Sequence, residues 1–324
     1  MKAAIYDRYG PPEVVHIRDV EEPAPKEHEA LIKVRAASIN PLDWHFMRGT
    51  PYFVRLMTGL RKPKITRLGV DVAGQVQAVG RNVTEFRPGD EVFGTCRGAL
   101  AEYVCTSESA LIMKPENVTF EQAASVPVAA FTALQGLRDK GQIQAGQKVL
   151  INGAAGGVGT FAVQIAKGFG ADVTGVCSTR NLEMVRNIGA DRVMDYTRQD
   201  FTTSGQRYDL IFDLVGNHSL SAFRRVLNPR GIYIGAGGGG PEVHWLDVLT
   251  GPIKALLLSM FVSQKLVPFL ARANKKDLTT ISELIKGGTV TPVIDKRYPL
   301  SEVPEAIRYL EQGHARGKVV ITLE

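Results

Sequence analysis

The rhythm of apolar and polar positions changes partway along the chain. Up to about residue 122, apolar residues fall in short, strand-like runs at 3–6, 14–17, 30–36, 70–79, 91–93 and 101–104. Turns such as Tyr9-Gly10-Pro11-Pro12 and Arg87-Pro88-Gly89-Asp90 separate them, which predicts a mostly β region. A helical entry over 122–137, interrupted by Pro127, then leads into strands and helices that alternate. Strands are predicted at 149–151, 172–177, 192–196, 210–214 and 232–235, with a sixth at 266–270. Helices are predicted from Val158 onward and at 181–188, 220–227 and 277–285. Strands spaced by helices in this way imply a doubly wound parallel sheet covered on both faces. The tail (a strand at 293–298, a helix at 303–311 and a strand at 318–323) returns to the first domain. The predicted organisation is therefore a domain made of 1–122 plus 293–324, with a second domain, 123–292, inserted in it.

Within the second domain the strand Val149-Leu150-Ile151 runs directly into Gly153, Gly156, Gly157 and Gly159, and a helix opens there. Glycines let a ligand approach the backbone, and a helix N-terminus offers unpaired N–H groups and partial positive charge, so this turn suits a diphosphate. Ala154 and Ala155 interrupt the usual G-x-G-x-x-G spacing, and a glycine-rich turn alone is weak evidence of a nucleotide site. About 20 residues on, where an NAD site places an acid on the ribose, stand Ser178, Thr179, Arg180 and Asn181. Hydroxyls and a guanidinium suit a 2′-phosphate, which predicts NADPH in preference to NADH.

Composition narrows the picture. At 324 residues, 44% hydrophobic and 22% charged, the chain is long enough for two ordinary globular domains. A net charge of +6 is spread along the chain, so nucleic-acid binding is permitted but not indicated. Three scattered cysteines, Cys96, Cys105 and Cys177, form neither a disulfide framework nor a thiolate zinc lobe. With no signal-like N-terminal run, they point to a reducing cytoplasmic setting. The most apolar internal run, 255–262, is too short to span a membrane and reads as core or subunit interface.

Several stretches occurring in this order resemble the medium-chain dehydrogenase/reductase superfamily, specifically its zinc-free quinone oxidoreductase branch. They are Ser38-Ile39-Asn40-Pro41-Leu42-Asp43, the runs 69–74, 87–94 and 153–159, and His314-Ala315-Arg316-Gly317-Lys318-Val319-Val320. The resemblance implies a Rossmann sheet inserted in a GroES-like substrate domain, with NADPH as cofactor. It implies that Gly156, Gly157 and Val158 meet the pyrophosphate, and that Ser178, Arg180 and Tyr196 surround the 2′-phosphate. Val215 and Gly216 would lie near the adenosine ribose, Gly235, Ala236 and Gly237 near the nicotinamide, and Lys318 near the cofactor. Asn40, Pro41, Asp43 and Thr132 would line the nicotinamide end. A homodimer formed through the last strand of the nucleotide sheet is also implied.

The zinc alcohol dehydrogenases of the same superfamily carry a Cys ligand where this chain has Asn40. They carry a His-Glu pair where it has Val70-Asp71, and a further Cys in the region 127–132. No metal is therefore expected, and the reaction shifts toward hydride transfer to a quinone or an α,β-unsaturated carbonyl. Trp44 and His45 stand where family members often have a tyrosine. His45 is a candidate proton donor beside the candidate catalytic residues Asn40 and Asp43, and Trp44 a candidate stacking surface for a flat acceptor. Phe53, Leu56 and Met57 are read as an apolar lip for the substrate, with Arg61, Lys62, Lys64 and Arg67 adding positive charge. Enoyl-thioester reduction, and NADPH sensing or RNA binding without turnover, are the alternative readings.

Overall fold

The computed structural model describes residues 1–236 and 262–323, apart from the Met57 side chain. Gly237 and nearly all of the apolar run 255–262 therefore lie outside the described residues, as does the Met57 side chain expected at the apolar lip. The chain divides into two compact units, one of 1–128, 273–286 and 292–324, the other of 129–272 and 287–291.

In the first unit, β1 (Lys2–Ile5) pairs antiparallel with β2 (His16–Asp19). A larger sheet is built on the eleven-residue β3 (Glu29–Ile39), followed by β4 (Asp71–Val79), β5 (Glu91–Thr95), β6 (Tyr103–Ser107) and β7 (Leu111–Met113). The second unit supplies β8 (Lys148–Asn152), β9 (Asp172–Cys177), β10 (Arg192–Asp195), β11 (Tyr208–Asp213), β12 (Leu227–Gly235) and β13 (Lys265–Pro268). The chain then returns to the first sheet as β14 (Ile294–Pro299) and β15 (Lys318–Thr322). That sheet has the order β14-β15-β3-β4-β5-β7, with β6 also paired to β3, and β15 lies antiparallel beside β3. Ile32, Val34, Ile39, Val72, Val76, Val92, Val319 and Ile321 bury against Trp44, Met47 and Ile307 to form the core of this GroES-like unit.

The second sheet has the order β10-β9-β8-β11-β12-β13 and is parallel throughout. This is the Rossmann order 3-2-1-4-5-6, whose direction of winding reverses between β8 and β11. Both faces of a parallel sheet are covered, which is why Val149, Leu150, Ile151, Ile211 and Phe212 form unbroken apolar runs, all fully buried.

Four local expectations change. The run 14–17 is a 3-10 turn over Pro12–Val14 followed by β2, because two prolines at the start favour a turn over a paired strand. The helical entry splits into Phe120–Ala124, closed by a Thr119/Gln122 capping box, and Pro127–Gln135. A helix not foreseen spans Pro41–Arg48. Finally, the helix Lys275–Lys286 belongs to the first unit, which also extends to Val128 rather than stopping at 122. Lys275 pairs with Glu85 at 2.6 Å and donates to the Glu108 carbonyl oxygen, and Asn117 donates to that of Ile285. Leu278, Ile281 and Ile285 are buried along its inner stripe.

Candidate active site

In the Rossmann unit the expected cofactor residues gather at one edge of the sheet. Gly156 to Val158 follow β8, Ser178 and Arg180 follow β9, Tyr196 follows β10, Val215 and Gly216 follow β11, and Gly235 and Ala236 end β12. Ligands of open α/β sheets bind at this carboxyl edge, where the winding reverses. Gly153 has φ +88°, and a Cβ on Gly159 would meet the Gly153 carbonyl oxygen at 2.1 Å. The tight turn therefore needs glycine at both places. Gly156 opens the twelve-residue helix Gly157–Gly168 without a side-chain cap. Thr160 makes the first N–H bond back to Gly156, leaving the N–H groups of Gly157, Val158 and Gly159 without helical acceptors. A bare anion cradle remains, and a pyrophosphate fits its chemistry.

At the ends of β9 and β10, Asn181 Nδ2 donates to Ser178 Oγ at 3.2 Å, which leaves the Ser178 hydroxyl proton to point elsewhere. Tyr196 is half exposed, and its N–H bonds to the Cys177 carbonyl oxygen. One acid does stand close by, contributed by β10. The Asp195 carboxylate accepts Thr179 Oγ1 at 2.5 Å, Thr197 N at 2.9 Å and Thr197 Oγ1 at 2.7 Å, and Arg198 lies 3.6 Å away. Those donors hold its charge well below the usual carboxylate range, led by the Thr179 hydroxyl. Both oxygens are already engaged, so the acid ties two loops together. Linear sequence did not show it near Thr179, sixteen residues earlier.

The winding reversal holds a second carboxylate that sequence reasoning missed. Asp213, buried at the end of β11, accepts Asn152 Nδ2 at 2.8 Å, the N–H groups of Val215 and Gly216 at 3.1 Å and Tyr233 OH at 2.8 Å. Its bonds shape the Val215-Gly216 turn. Thr132 lies in the helix Pro127–Gln135, half buried.

In the GroES-like unit, register assembles a separate buried polar cluster. Val319 stands opposite Ile39 and Ser38 opposite Asp71, so the start of β15, the end of β3 and the start of β4 lie side by side. Lys318 Nζ donates to Asn40 Oδ1 at 2.5 Å and lies 3.3 Å from Asp71 Oδ2. The same Asp71 oxygen accepts Ser38 Oγ at 2.8 Å and Asn40 Nδ2 at 2.9 Å, while its other oxygen accepts the N–H of Val128 at 3.0 Å. Asn40 is thus held at both ends of its amide. Ser38, Asn40, Asp71 and Lys318 are all buried.

Asp43 closes the capping box that starts the helix Pro41–Arg48, accepting the Asn40 N–H at 2.8 Å and the Gly69 N–H at 2.9 Å. Burial pushes its pKa up to about 6, and the two N–H bonds oppose that rise. Both oxygens bond to backbone, so the carboxylate fixes the entry to the helix.

Two sequence expectations change here. His45 Nδ1 sits 2.7 Å from the Thr50 carbonyl oxygen, which can only accept, so Nδ1 carries the proton. Burial lowers the pKa of the ring, and at neutral pH its Nε2 is a bare acceptor instead of the expected donor. Trp44 is 4% exposed and stacks on His45 with ring centroids 3.8 Å apart, so it is a core residue with no face to offer an acceptor. Phe53, by contrast, is partly exposed.

The sequence matches the alcohol dehydrogenase GroES-like domain family over residues 26–116 and the zinc-binding dehydrogenase family over 188–321. It is 34% identical to the chloroplast envelope quinone oxidoreductase homolog of Arabidopsis thaliana, over 99% of this chain and 98% of that one. It is also 34% identical to an NADPH-dependent alkenal/one oxidoreductase of the same plant, over 99% of this chain and 79% of that one. Among solved structures, the quinone oxidoreductase from Coxiella burnetii superposes with a TM-score of 0.86 at 31% identity, covering 100% and 99% of the two chains. The chain belongs to the medium-chain dehydrogenase/reductase superfamily, in its quinone oxidoreductase-like branch.

Proposed function

We propose that this chain is an NADPH-dependent oxidoreductase that transfers hydride to a quinone or an α,β-unsaturated carbonyl without zinc. The carrying observation is the glycine turn at the winding reversal of the Rossmann sheet, with Ser178, Thr179 and Arg180 following the neighbouring strand β9. Relatives named for quinone and for alkenal/one reduction support this reading over thioester reduction and over a non-catalytic role.

In this reading the N–H groups of Gly157 and Val158 hold the pyrophosphate, while the expected Gly156 N–H is already bound to the Gly153 carbonyl oxygen at 3.0 Å. Ser178 and Arg180 take the 2′-phosphate, with Tyr196 beside them, and Val215 and Gly216 border the adenosine ribose. Gly235, Ala236 and Thr132 face the nicotinamide, which supplies the hydride when bound. Asn40, buried with its amide held by Lys318 and Asp71, acts as a positioning residue at the start of the helix Pro41–Arg48, and Phe53 contributes to the apolar lip of the acceptor site. The proton that completes the reduction comes from water, because His45 is neutral with Nε2 unprotonated.

Zinc independence rests on the donor set. Where the zinc enzymes have ligands, this chain has an amide and a carboxylate already bound to an ammonium, and Lys318 would repel a dication. The cysteines are free thiols, as the reducing conditions of the proposed cytoplasmic setting require. No helix among the described residues is long and apolar enough to cross a membrane. The proposed homodimer forms through β13, which ends the strand order of the Rossmann sheet.

Steady-state consumption of NADPH and NADH by metal-free protein, against ortho- and para-quinones and unsaturated ketones, tests the proposal. Saturable, NADPH-preferring turnover that survives a chelator is the expected result. Turnover restored only by added zinc refutes it.

A further inference from the structure

The stretch after the helix Pro41–Arg48 has an unusual charge balance. No acidic residue occurs between Asp43 and Asp71, and those two are buried. The segment between them carries Arg48, which pairs with Glu311, and then Arg55, Arg61, Lys62, Lys64 and Arg67.

Its inner side is firmly anchored. In the short helix Val54–Thr58, Val54 and Thr58 are buried, and Tyr9 OH bonds to Thr58 Oγ1 at 2.8 Å and to the Gly59 carbonyl oxygen at 2.5 Å. Arg55 is used internally. Its Nε donates to the Gly49 carbonyl oxygen, and its guanidinium lies 4.6 Å from the centre of the Tyr9 ring and 4.9 Å from that of Tyr52.

A tight turn follows. Gly59 has φ +119°, a Cβ there would meet the Lys62 carbonyl oxygen at 2.2 Å, and the Lys64 N–H closes back on the Thr58 carbonyl oxygen at 2.7 Å. This closed loop turns its large apolar side chains outward, with Tyr52, Leu56 and Leu60 exposed at 63%, 74% and 68%. Arg61, Lys62 and Lys64 are exposed beside them, and none has a carboxylate within ion-pair distance among the described residues.

We propose that this loop, Tyr52 to Lys64, is a docking surface for an anionic lipid bilayer. Aliphatic tips flanked by cations on a rigid turn match an interface whose outer layer is negative and whose next layer is apolar. The most exposed apolar tips, Leu56 and Leu60, are aliphatic, and the Tyr52 ring already carries the Arg55 guanidinium 4.9 Å from its centre, which disfavours base stacking and so RNA. A symmetric contact with a second copy would set Arg61, Lys62 and Lys64 against themselves. Docking places the protein where apolar acceptors dissolve, though the surface itself does not depend on the proposed reaction.

Vesicle co-sedimentation tests the proposal without an activity readout. Wild-type protein is measured on vesicles of phosphatidylcholine alone and with 30 mol% phosphatidylglycerol, at low and high NaCl. Melting curves verify that each variant is folded. Binding to the anionic vesicles that falls with salt is expected. At about fivefold per charge near such a surface, the triple variant Arg61→Glu, Lys62→Glu, Lys64→Glu should lose roughly 100-fold or more in partitioning. Leu56→Ser with Leu60→Ser should also weaken binding while keeping its salt dependence. Equal affinity for both vesicle types, no binding to either, or folded variants that bind like wild type would overturn the proposal. So would tight binding of a 20-nucleotide RNA that survives the leucine changes while vesicles are ignored.

Discussion

Replacing Lys318 with Met tests how the GroES-like unit holds its buried charges. In the native chain the ammonium lies 2.5 Å from Asn40 Oδ1 and 3.3 Å from Asp71 Oδ2, with side chains 4% and 0% exposed for Lys318 and Asp71. Methionine has a similar volume, so the change removes charge and donors with little cavity. Asp71 then keeps the Ser38, Asn40 and Val128 donors but has no cation. Breaking one side of a buried ion pair costs about 3–5 kcal/mol, because the charge left behind is desolvated and uncompensated. At about 2–4 °C per kcal/mol for a domain of this size, the melting temperature should fall by roughly 10 °C. Adding Asp71→Asn to Lys318→Met removes the orphan charge, and the double variant should recover much of that loss. Circular dichroism melts of the four proteins form a double-mutant cycle. A Lys318→Met protein melting within about 2 °C of wild type, or a double variant whose losses simply add, would mean that the pair does not stabilise the unit.

Other changes probe the remaining groups. Because Asp43 titrates near 6 when folded, above the ordinary value of about 3.9, the folded state binds the extra proton between those pH values. Stability should therefore fall by roughly 2 kcal/mol, relative to Asp43→Asn, as pH rises from 4 to 7; urea midpoints across that range would check it, and parallel curves would refute it. Gly159→Ala forces a Cβ to within 2.1 Å of the Gly153 carbonyl oxygen, and a displacement of ~1 Å at a positioning loop costs roughly 100-fold in kcat/KM. Arg180→Glu should lower kcat/KM for NADPH by about 10- to 100-fold, the value of a charge-assisted bond, and leave NADH within about 2-fold. Asp213→Ala strands the donors of Tyr233, Asn152, Val215 and Gly216 and should cost about 3 kcal/mol in chemical denaturation.

Much of the fold was legible because its cues are local. Unbroken apolar runs such as Val149-Leu150-Ile151 mark strands buried on both faces, and the glycines after β8 mark a turn that side chains would block. The helix Pro41–Arg48 escaped because its cap uses Asn40 and Asp43, residues that in linear sequence fit a simple turn equally well. Trp44 and His45 were legible in type and misread in placement, since eight residues do not reveal which helix face will meet the β core. The helix Lys275–Lys286 follows the Rossmann strands in sequence, yet its partners Glu85, Glu108 and Asn117 are more than 150 residues upstream.

The Asn40, Asp71 and Lys318 cluster shows most clearly where linear reading stops. Each residue borders a strongly apolar strand, and a polar group in that position needs a buried partner, so the demand for partners is visible in the sequence. Their identity is not, because Lys318 and Asp71 are 247 residues apart and meet only through the register of β15 on β3 and β3 on β4. Once that register is known, the charge balance of the cluster is explicit. The buried Asp71 carboxylate would by itself lack a counter-charge. Lys318 supplies that charge from the chain itself, fixes the orientation of the Asn40 amide, and makes the site self-neutralising.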